Sequence, residues 1–250
     1  MLLKRIMTTI LVMLGAASIL IAPASAKHND GQTYKVTITN LTPGQPFTPP
    51  ILVTHTDKTS IFMVGEAASA EVQAVAENGN GAPLMAALGV NTQVHDVVAG
   101  AAPLVPANNP GATPFASSAT YMITTRGKAD MLSFVSMLIC TNDGFTALNS
   151  VELPKKRSKG SKGSRGATTV FARAYDARTE TNTEDFADMV PPCQGLIGVS
   201  SDDSGTGSSN PLLAEDGVVI PHVGIFGGVD LHREVHDWAD PVAKIVIERM

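Results

Sequence analysis

The chain has 250 residues, with 18 basic against 23 acidic side chains and a formal net charge of −5. Setting aside the first 26 residues, which hold Lys4 and Arg5 and no acid, leaves 16 basic against 23 acidic residues, a net charge of −7. That sign argues against nucleic acid as a partner, because phosphate binding needs a basic surface. The remaining 224 residues, 250 less 26, are enough to bury a core as one domain over 27–250.

In chain order, the first segment is "MLLKRIMTTILVMLGAASILIAPASA". Lys4 and Arg5 precede an apolar run from Ile6 to about Ile21, and Ala24 and Ala26 form a small-residue cleavage pattern. The segment reads as a secretory signal peptide over residues 1–26, cleaved after Ala26, so the mature protein is expected to be secreted or periplasmic. The apolar run is short for a membrane anchor, and no later run of roughly 18 apolar residues is present.

Period-2, β-branched runs then dominate. "YKVTITNL" (34–41), "ILVTHT" (51–56), "TQVHDVVAG" (92–100), "ATYMITTR" (119–126), "MLSFVSMLI" (131–139), "TTVFARAYD" (168–176) and "VAKIVIERM" (242–250) read as strands. Pro, Gly and Asn clusters such as "PANNPGATP" separate them. The spacing predicts a mainly β protein, an antiparallel β-sandwich, with one or two short helices. "GEAASAEVQAVAENGN" (65–80) is the helical stretch, and "APLMAALG" adds a short helical turn.

Two segments are biased in composition. "KKRSKGSKGSRG" (155–166) carries six basic residues among Ser and Gly. It reads as a solvated hairpin tip, with membrane-surface or polyanion contact through Lys155–Arg165 as the functional alternative. "SSDDSGTGSSN" (200–210) reads as a loop whose Asp202 and Asp203 could touch a cation.

Cys140 and Cys193 are the two cysteines. In an oxidising compartment an even pair reads as one disulfide. It would close a loop of about 50 residues, worth roughly 4 kcal/mol in the chain-entropy model. Two buried thiols are the alternative.

The richest chemistry lies in "YDARTETNTED" (175–185), where a strand runs into Asp176, Thr179, Glu180, Thr181, Asn182, Thr183, Glu184 and Asp185. A second acidic turn, Asn142-Asp143-Gly144, follows the strand that ends near Cys140. If these strand ends meet at one pole, Asp143, Asp176 and Glu180 converge. Three carboxylates, with the Asn142 or Asn182 amide and loop carbonyls, supply the six to eight oxygens Ca²⁺ takes. Solvated acidic turns are the plainer reading, and from spacing alone the two stay open.

These stretches resemble the spondin domain, found in extracellular-matrix spondins and in stand-alone secreted bacterial proteins. The matching marks are the "ND-G-F" turn followed by "LNSVEL", and "DARTETN" at a D-A-G-T-D/E type motif. The opening "YKVTITNLTPGQPFTPPILVTH", the "VGEAASAEVQAVAENGN" helix and the "PHVGIFGGVDL…DWADPVAKIVIER" end also look like the bacterial branch. The resemblance spans about residues 33–250. It implies an antiparallel β-sandwich related to calcium-dependent membrane-binding sandwiches, with a metal at one loop pole. By position, Asp143, Asp176 and Glu180 match the family's acidic residues. Arg178 departs from the pattern, standing where a Gly is usual. The cysteines would tie the strand entering the first loop to the chain just after the second.

A competing cluster is His222, His232 and His236, with Glu234 between the last two. His232 and His236 would share a helical face, a spacing used by zinc sites. The order H-x-E-x-H is not that of zinc proteases, so surface histidines are the plainer reading. No G-x-S-x-G elbow or phosphate loop is present. The sequence therefore points to a non-enzymatic, calcium-binding adhesion or interaction module. Its partner is an extracellular protein or glycan that the sequence does not name. A zinc-dependent hydrolase and an envelope structural protein without metal are the alternatives.

Overall fold

The computed structural model describes residues 31–155, 166–199, 203, 205 and 209–250. The signal-peptide segment, Asp202 and the interior of the basic segment lie outside the described residues.

Strand β1 (Gln32–Asn40) shows how the alternation works. Val36 and Ile38 are fully buried and Tyr34 nearly so, while Lys35 and Thr37 between them face outward. The other strands are β2 (Ile51–His55), β3 (Val94–Ala99), β4 (Ser118–Thr125), β5 (Met131–Met137), β6 (Gly144–Glu152), β7 (Ala167–Asp176), β8 (Ile220–Pro221) and β9 (Ala243–Arg249). All pairings are antiparallel, in the order β3-β2-β5-β6-β7-β9-β1-β4, with β8 beside β7.

β7 joins the two layers. Its first part, Ala167 to Ala172, pairs with β9, and its last part, Arg173 to Asp176, pairs with β6. The sheet thus folds over on itself and nearly closes like a barrel. Val36, Ile38, Ile245 and Ile247 from one layer pack against Leu52, Leu132 and Phe134 from the other. At the opposite edge Asp96 Oδ2 accepts from Thr124 N–H at 2.8 Å, and Thr54 Oγ1 donates to the Thr124 carbonyl at 2.7 Å. The expected mainly antiparallel β fold is borne out.

Helices α1 (Ala70–Asn78) and α2 (Ala82–Val90) cover the outer face of β2, β5 and β6. Val72, Val75, Ala76, Leu84 and Leu88 pack on Ile51, Val53, Val135 and Phe145. α1 starts five residues later than the pattern predicts. Ser69 caps it, its hydroxyl accepting from Val72 N–H, and Gly79 ends it at φ 63°. Two short helices near the acidic loops, α3 (Pro192–Ile197) and α4 (Arg233–His236), were not legible as helices in the sequence. Among the described residues no helix is long and apolar enough to cross a membrane.

The disulfide is formed between Cys140 and Cys193, with Cα atoms 5.1 Å apart. It sits in its own apolar cluster with Met137, Ile139, Phe186, Leu196, Ile225 and Leu231. That cluster is the floor of the acidic loops.

Candidate metal centre

β6, absent from the strands predicted by alternation, is what brings the two acidic loops together. It begins at Gly144, directly after Asp143, and Gly144 stands opposite Asp176 in the β6–β7 register. Asp143 and Asp176 therefore flank one point where two adjacent strands meet. The strand ending near residue 139 is not the neighbour of β7, because β6 lies between them.

Asp143 is fully buried. Its Oδ2 accepts three hydrogen bonds, from Thr179 N–H at 2.7 Å, Glu180 N–H at 3.0 Å and Thr179 Oγ1 at 3.3 Å. Its Oδ1 is buried and has no hydrogen-bond partner. Burial, with the nearby Asp176 charge, pushes the Asp143 carboxyl up to about 7.

Asp176 is also buried and is tied locally. Its Oδ1 accepts from Arg178 N–H at 2.7 Å and its Oδ2 from the Asn182 amide at 2.9 Å. Glu180 is 3% exposed, and its Oε1 accepts from Asn210 N–H at 2.6 Å. Burial, with Glu77, Asp143 and Asp188 nearby, raises its carboxyl to about 7.

Asn142 holds the two loops to each other. Its amide donates to Thr183 Oγ1 at 3.1 Å, and its Oδ1 accepts from Thr183 N–H at 3.1 Å. Both ends of its side chain are thus engaged by one residue of the second loop. Asn182 serves Asp176 through its NH₂ group.

Arg178, the departure from the family pattern, keeps the backbone a glycine would adopt, with φ 55°. Its guanidinium turns to Glu215, with Nε 2.9 Å from Oε2. The second loop is backed on that side by residues 213–217, through Thr181 N–H to the Leu213 carbonyl, Glu215 N–H to Thr179 and Gly217 N–H to Arg178.

Asp143, Asp176 and Glu180 do not each bring an oxygen within 4.8 Å of the other two. Among the described residues the acidic set that does is Asp185, Asp203 and Asp230, of which the sequence reading had singled out only the first two. Asp185 Oδ1 accepts from Ala187 N–H and Asp230 Oδ2 from Phe186 N–H, so both cap the short turn over Phe186–Asp188.

Glu184, in the same acidic run, holds a neighbouring loop. It sits at φ 58° and its two oxygens accept from Phe226 N–H at 2.6 Å and Gly227 N–H at 2.7 Å. It anchors the 223–229 loop beside the acidic loops. A small cavity of about 10 Å³ is lined by Asn142, Asn182, Glu184 and His222, among others.

His232 and His236 lie with ring centroids 6.4 Å apart, but among the described residues the three histidines do not bring their ligand atoms together. His222 packs its ring on Trp238 at 5.0 Å, and His236 packs on Phe186 at 6.3 Å. Gly224 N–H donates to His222 Nδ1 at 3.1 Å, so the proton of the neutral ring sits on Nε2, which is then no metal ligand. His236 is fully buried, which corrects the expectation of a surface residue. His232 N–H donates to its Nδ1 at 2.8 Å. Burial lowers the pKa of both His222 and His236, keeping them neutral.

The family model described as Spondin_N matches residues 31–180, more than half of the chain, and ends at Glu180. The chain belongs to the Spondin_N family. Spondin-type domains are a family of non-enzymatic modules. The matched span holds β1 to β7, and with them Asp143, Asp176 and residues 177–180 of the loop that leaves β7. Among curated proteins, none matches the chain. The spondin resemblance implies a metal at this pole; the oxygen donors suit one in chemistry, while Asp143, Asp176 and Glu180 stand too far apart to share it without moving. An anionic oxygen buried without any partner is costly unless a cation faces it. Asp143 Oδ1 is such an atom, with two further buried carboxylates beside it.

Proposed function

We propose that this spondin-type domain is a secreted, calcium-binding interaction module. Asp143, Asp176 and Glu180 would hold the ion, and it would order the loop pole rather than perform chemistry. The observation that carries the reading is the buried, unpartnered Oδ1 of Asp143 beside Asp176 and Glu180. A set of hard oxygen donors with no sulfur or available imidazole suits Ca²⁺. Asn142 and Asn182 keep the loops in register, and Asn182 retains its amide oxygen for the ion.

The contact surface of the module would be the 223–229 loop. Val223, Phe226 and Val229 are 69%, 69% and 57% exposed, although all three are apolar. Glu184 holds this loop beside the proposed ion site, so ordering the acidic loops also fixes the surface shown to a partner. The partner would be an extracellular protein or glycan, and the role would be adhesion or surface attachment.

Thermal melting after chelation, with Ca²⁺, Mg²⁺ or Zn²⁺ added back, tests the reading. A ligand at 100 times its dissociation constant adds about 2.7 kcal/mol of stability if it binds only the folded state. A calcium-specific rise that disappears in Asp176→Asn is the expected result. A zinc-specific rise, or no shift with any ion, would contradict it.

A further inference from the structure

β6 and β7 are neighbours for only part of their length. They pair from Gly144 opposite Asp176 to Ala147 opposite Arg173, and there the ladder stops. Beyond it, β7 from Ala167 to Ala172 pairs with β9, and β6 from Leu148 to Glu152 keeps only β5 as a ladder partner. The two strands approach again at the far end. There the Pro154 carbonyl accepts from the Tyr34 hydroxyl at 3.1 Å, and the Gly166 carbonyl accepts from Arg249 N–H at 3.1 Å. A Cβ on Gly166 would stand 3.2 Å from the Lys155 carbonyl. Between these two ends the strands splay and leave a cleft of about 780 Å³, a size typical of ligand sites.

Three features set what the cleft can take. Its long walls are strand edges that face each other without a ladder between them, so backbone N–H and C=O groups on each point into the gap. Its floor is the sandwich core itself, with Leu148 and Ala172 from the core and Val151 packed against it. Its outer lip is Phe171, Arg173 and Tyr175, which share one face of β7 by the period of two. Phe171 is 56% exposed despite being aromatic. Arg173 is half-exposed and, among the described residues, is engaged only through Nε, 3.4 Å from Asp240 Oδ2. The other Asp240 oxygen accepts from Ala174 N–H at 3.1 Å. The outer amino groups of the guanidinium are therefore open to a second carboxylate.

We propose that this cleft binds an extended peptide segment of a partner protein, added as a strand along the open edges of β6 and β7, with a carboxylate at the Arg173 end. Free strand edges select a polypeptide, because another backbone supplies donors and acceptors at strand spacing and a sugar or a small apolar molecule does not. The open edge of β6 has room for a segment of about five residues, at roughly 3.3 Å each. Alternate side chains of that segment point in toward Leu148, Val151 and Ala172 and out along Phe171 and Tyr175. The apolar anchor and the single guanidinium then fix its direction. None of the residues proposed to hold calcium lines the cleft, so this inference does not rest on the metal reading.

The test uses a panel of labelled hexapeptides that alternate valine or leucine with threonine and end in aspartate, lysine or glutamine. Each is titrated into the full mature chain in chelator and read by fluorescence anisotropy. Aspartate-ended peptides are expected to bind about tenfold more tightly than lysine-ended ones. Methylating alternate backbone nitrogens, which keeps every side chain, should abolish binding. Phe171→Ser should weaken the whole panel about tenfold, and Arg173→Gln should erase the preference for an acidic end. Both side chains are largely exposed, and unchanged circular dichroism melting checks that each variant is folded. The proposal falls if no peptide binds, if methylated peptides bind as well as their parents, or if neither variant changes binding. Oligosaccharides that bind where the peptides do not, with loss in Phe171→Ser, would overturn it in favour of a glycan. Because calcium is absent throughout, failure here leaves the metal reading standing, and a protein that ignores calcium can still bind the peptides.

Discussion

Replacing Asp143 with Asn should stabilise the ion-free protein at alkaline pH while removing its response to calcium. The ordinary Asp pKa is 3.8, and in the fold burial and Asp176 lift this carboxyl to about 7. Folding therefore takes up a proton at Asp143 between those values. This side chain costs the fold nothing below about pH 4, and its cost grows from there to about pH 7 and is constant above. A difference of about 3 units corresponds to about 4 kcal/mol at most for an anion held without a cation. Asn has no such proton to take up, and its amide oxygen can keep the bonds from Thr179 and Glu180. At roughly 2–4 °C per kcal/mol for a chain of this size, the variant should melt up to about 8–16 °C above wild type at pH 8 in chelator. The assay is circular dichroism melting of both proteins from pH 4 to pH 8. Comparing the two cancels the opposite contribution of His222 and His236, whose lowered pKa values weaken the fold as pH falls. The gap between variant and wild type should widen from pH 4 to about pH 7 and level off above, and calcium at pH 8 should close or reverse it. A variant that melts below wild type in chelator at pH 8, or a gap that does not change with pH, would refute the buried-anion argument.

Two further outcomes follow from the same geometry. Changing Cys140 and Cys193 together to Ser should cost about 4 kcal/mol in urea unfolding, as the loop they close is about 50 residues long. It should also weaken calcium binding, because the bridge lies in the floor under both loops. Arg178→Gly should be neutral or stabilising by up to about 1 kcal/mol by the same assay. It relieves a left-handed backbone and gives up a partly exposed ion pair worth little.

The strands with clean alternation were readable because one face of each lies on the core. β1, β4 and β9 are of this kind, and their observed limits fall within two residues of the predicted ones. β6 was not readable as a strand, because its first half is buried on both faces, one against the sandwich core and the other against α1. Phe145 and Ala147 point to the helix side and Leu148 to the core, so no alternation shows. A Ser150 at φ 57° further breaks the period in its second half. The start of α1 was misplaced because the Gly65 to Ser69 stretch has helical composition but lies ahead of the Ser69 cap.

At the acidic pole, the register of β6 and β7 explains why Asp143 and Asp176, both legible from side-chain chemistry, flank one point, while Glu180 does not join them within 4.8 Å. The burial of Glu77 and the role of Glu184 were not legible. Glu77 looks like an ordinary polar position on an Ala-rich helix, and only the fold shows that it is buried with Oε2 unpartnered. Glu184 works through backbone N–H groups more than 40 residues away, which leave no trace in side-chain identity. The histidine cluster had the reverse problem. Its spacing was visible, and His232 and His236 do lie 6.4 Å apart, but His222 packs on Trp238 and His236 on Phe186, and the three do not bring ligand atoms together.

The most direct test of the calcium reading is crystallographic. Crystals of the mature protein grown in calcium chloride, measured at long wavelength, should show an anomalous peak about 2.3–2.6 Å from Asp143 Oδ1, the usual Ca–O distance. Asp176 and Glu180 should have moved in to share it. An empty pole, with Asp143 Oδ1 still unpartnered at saturating calcium, would contradict the account.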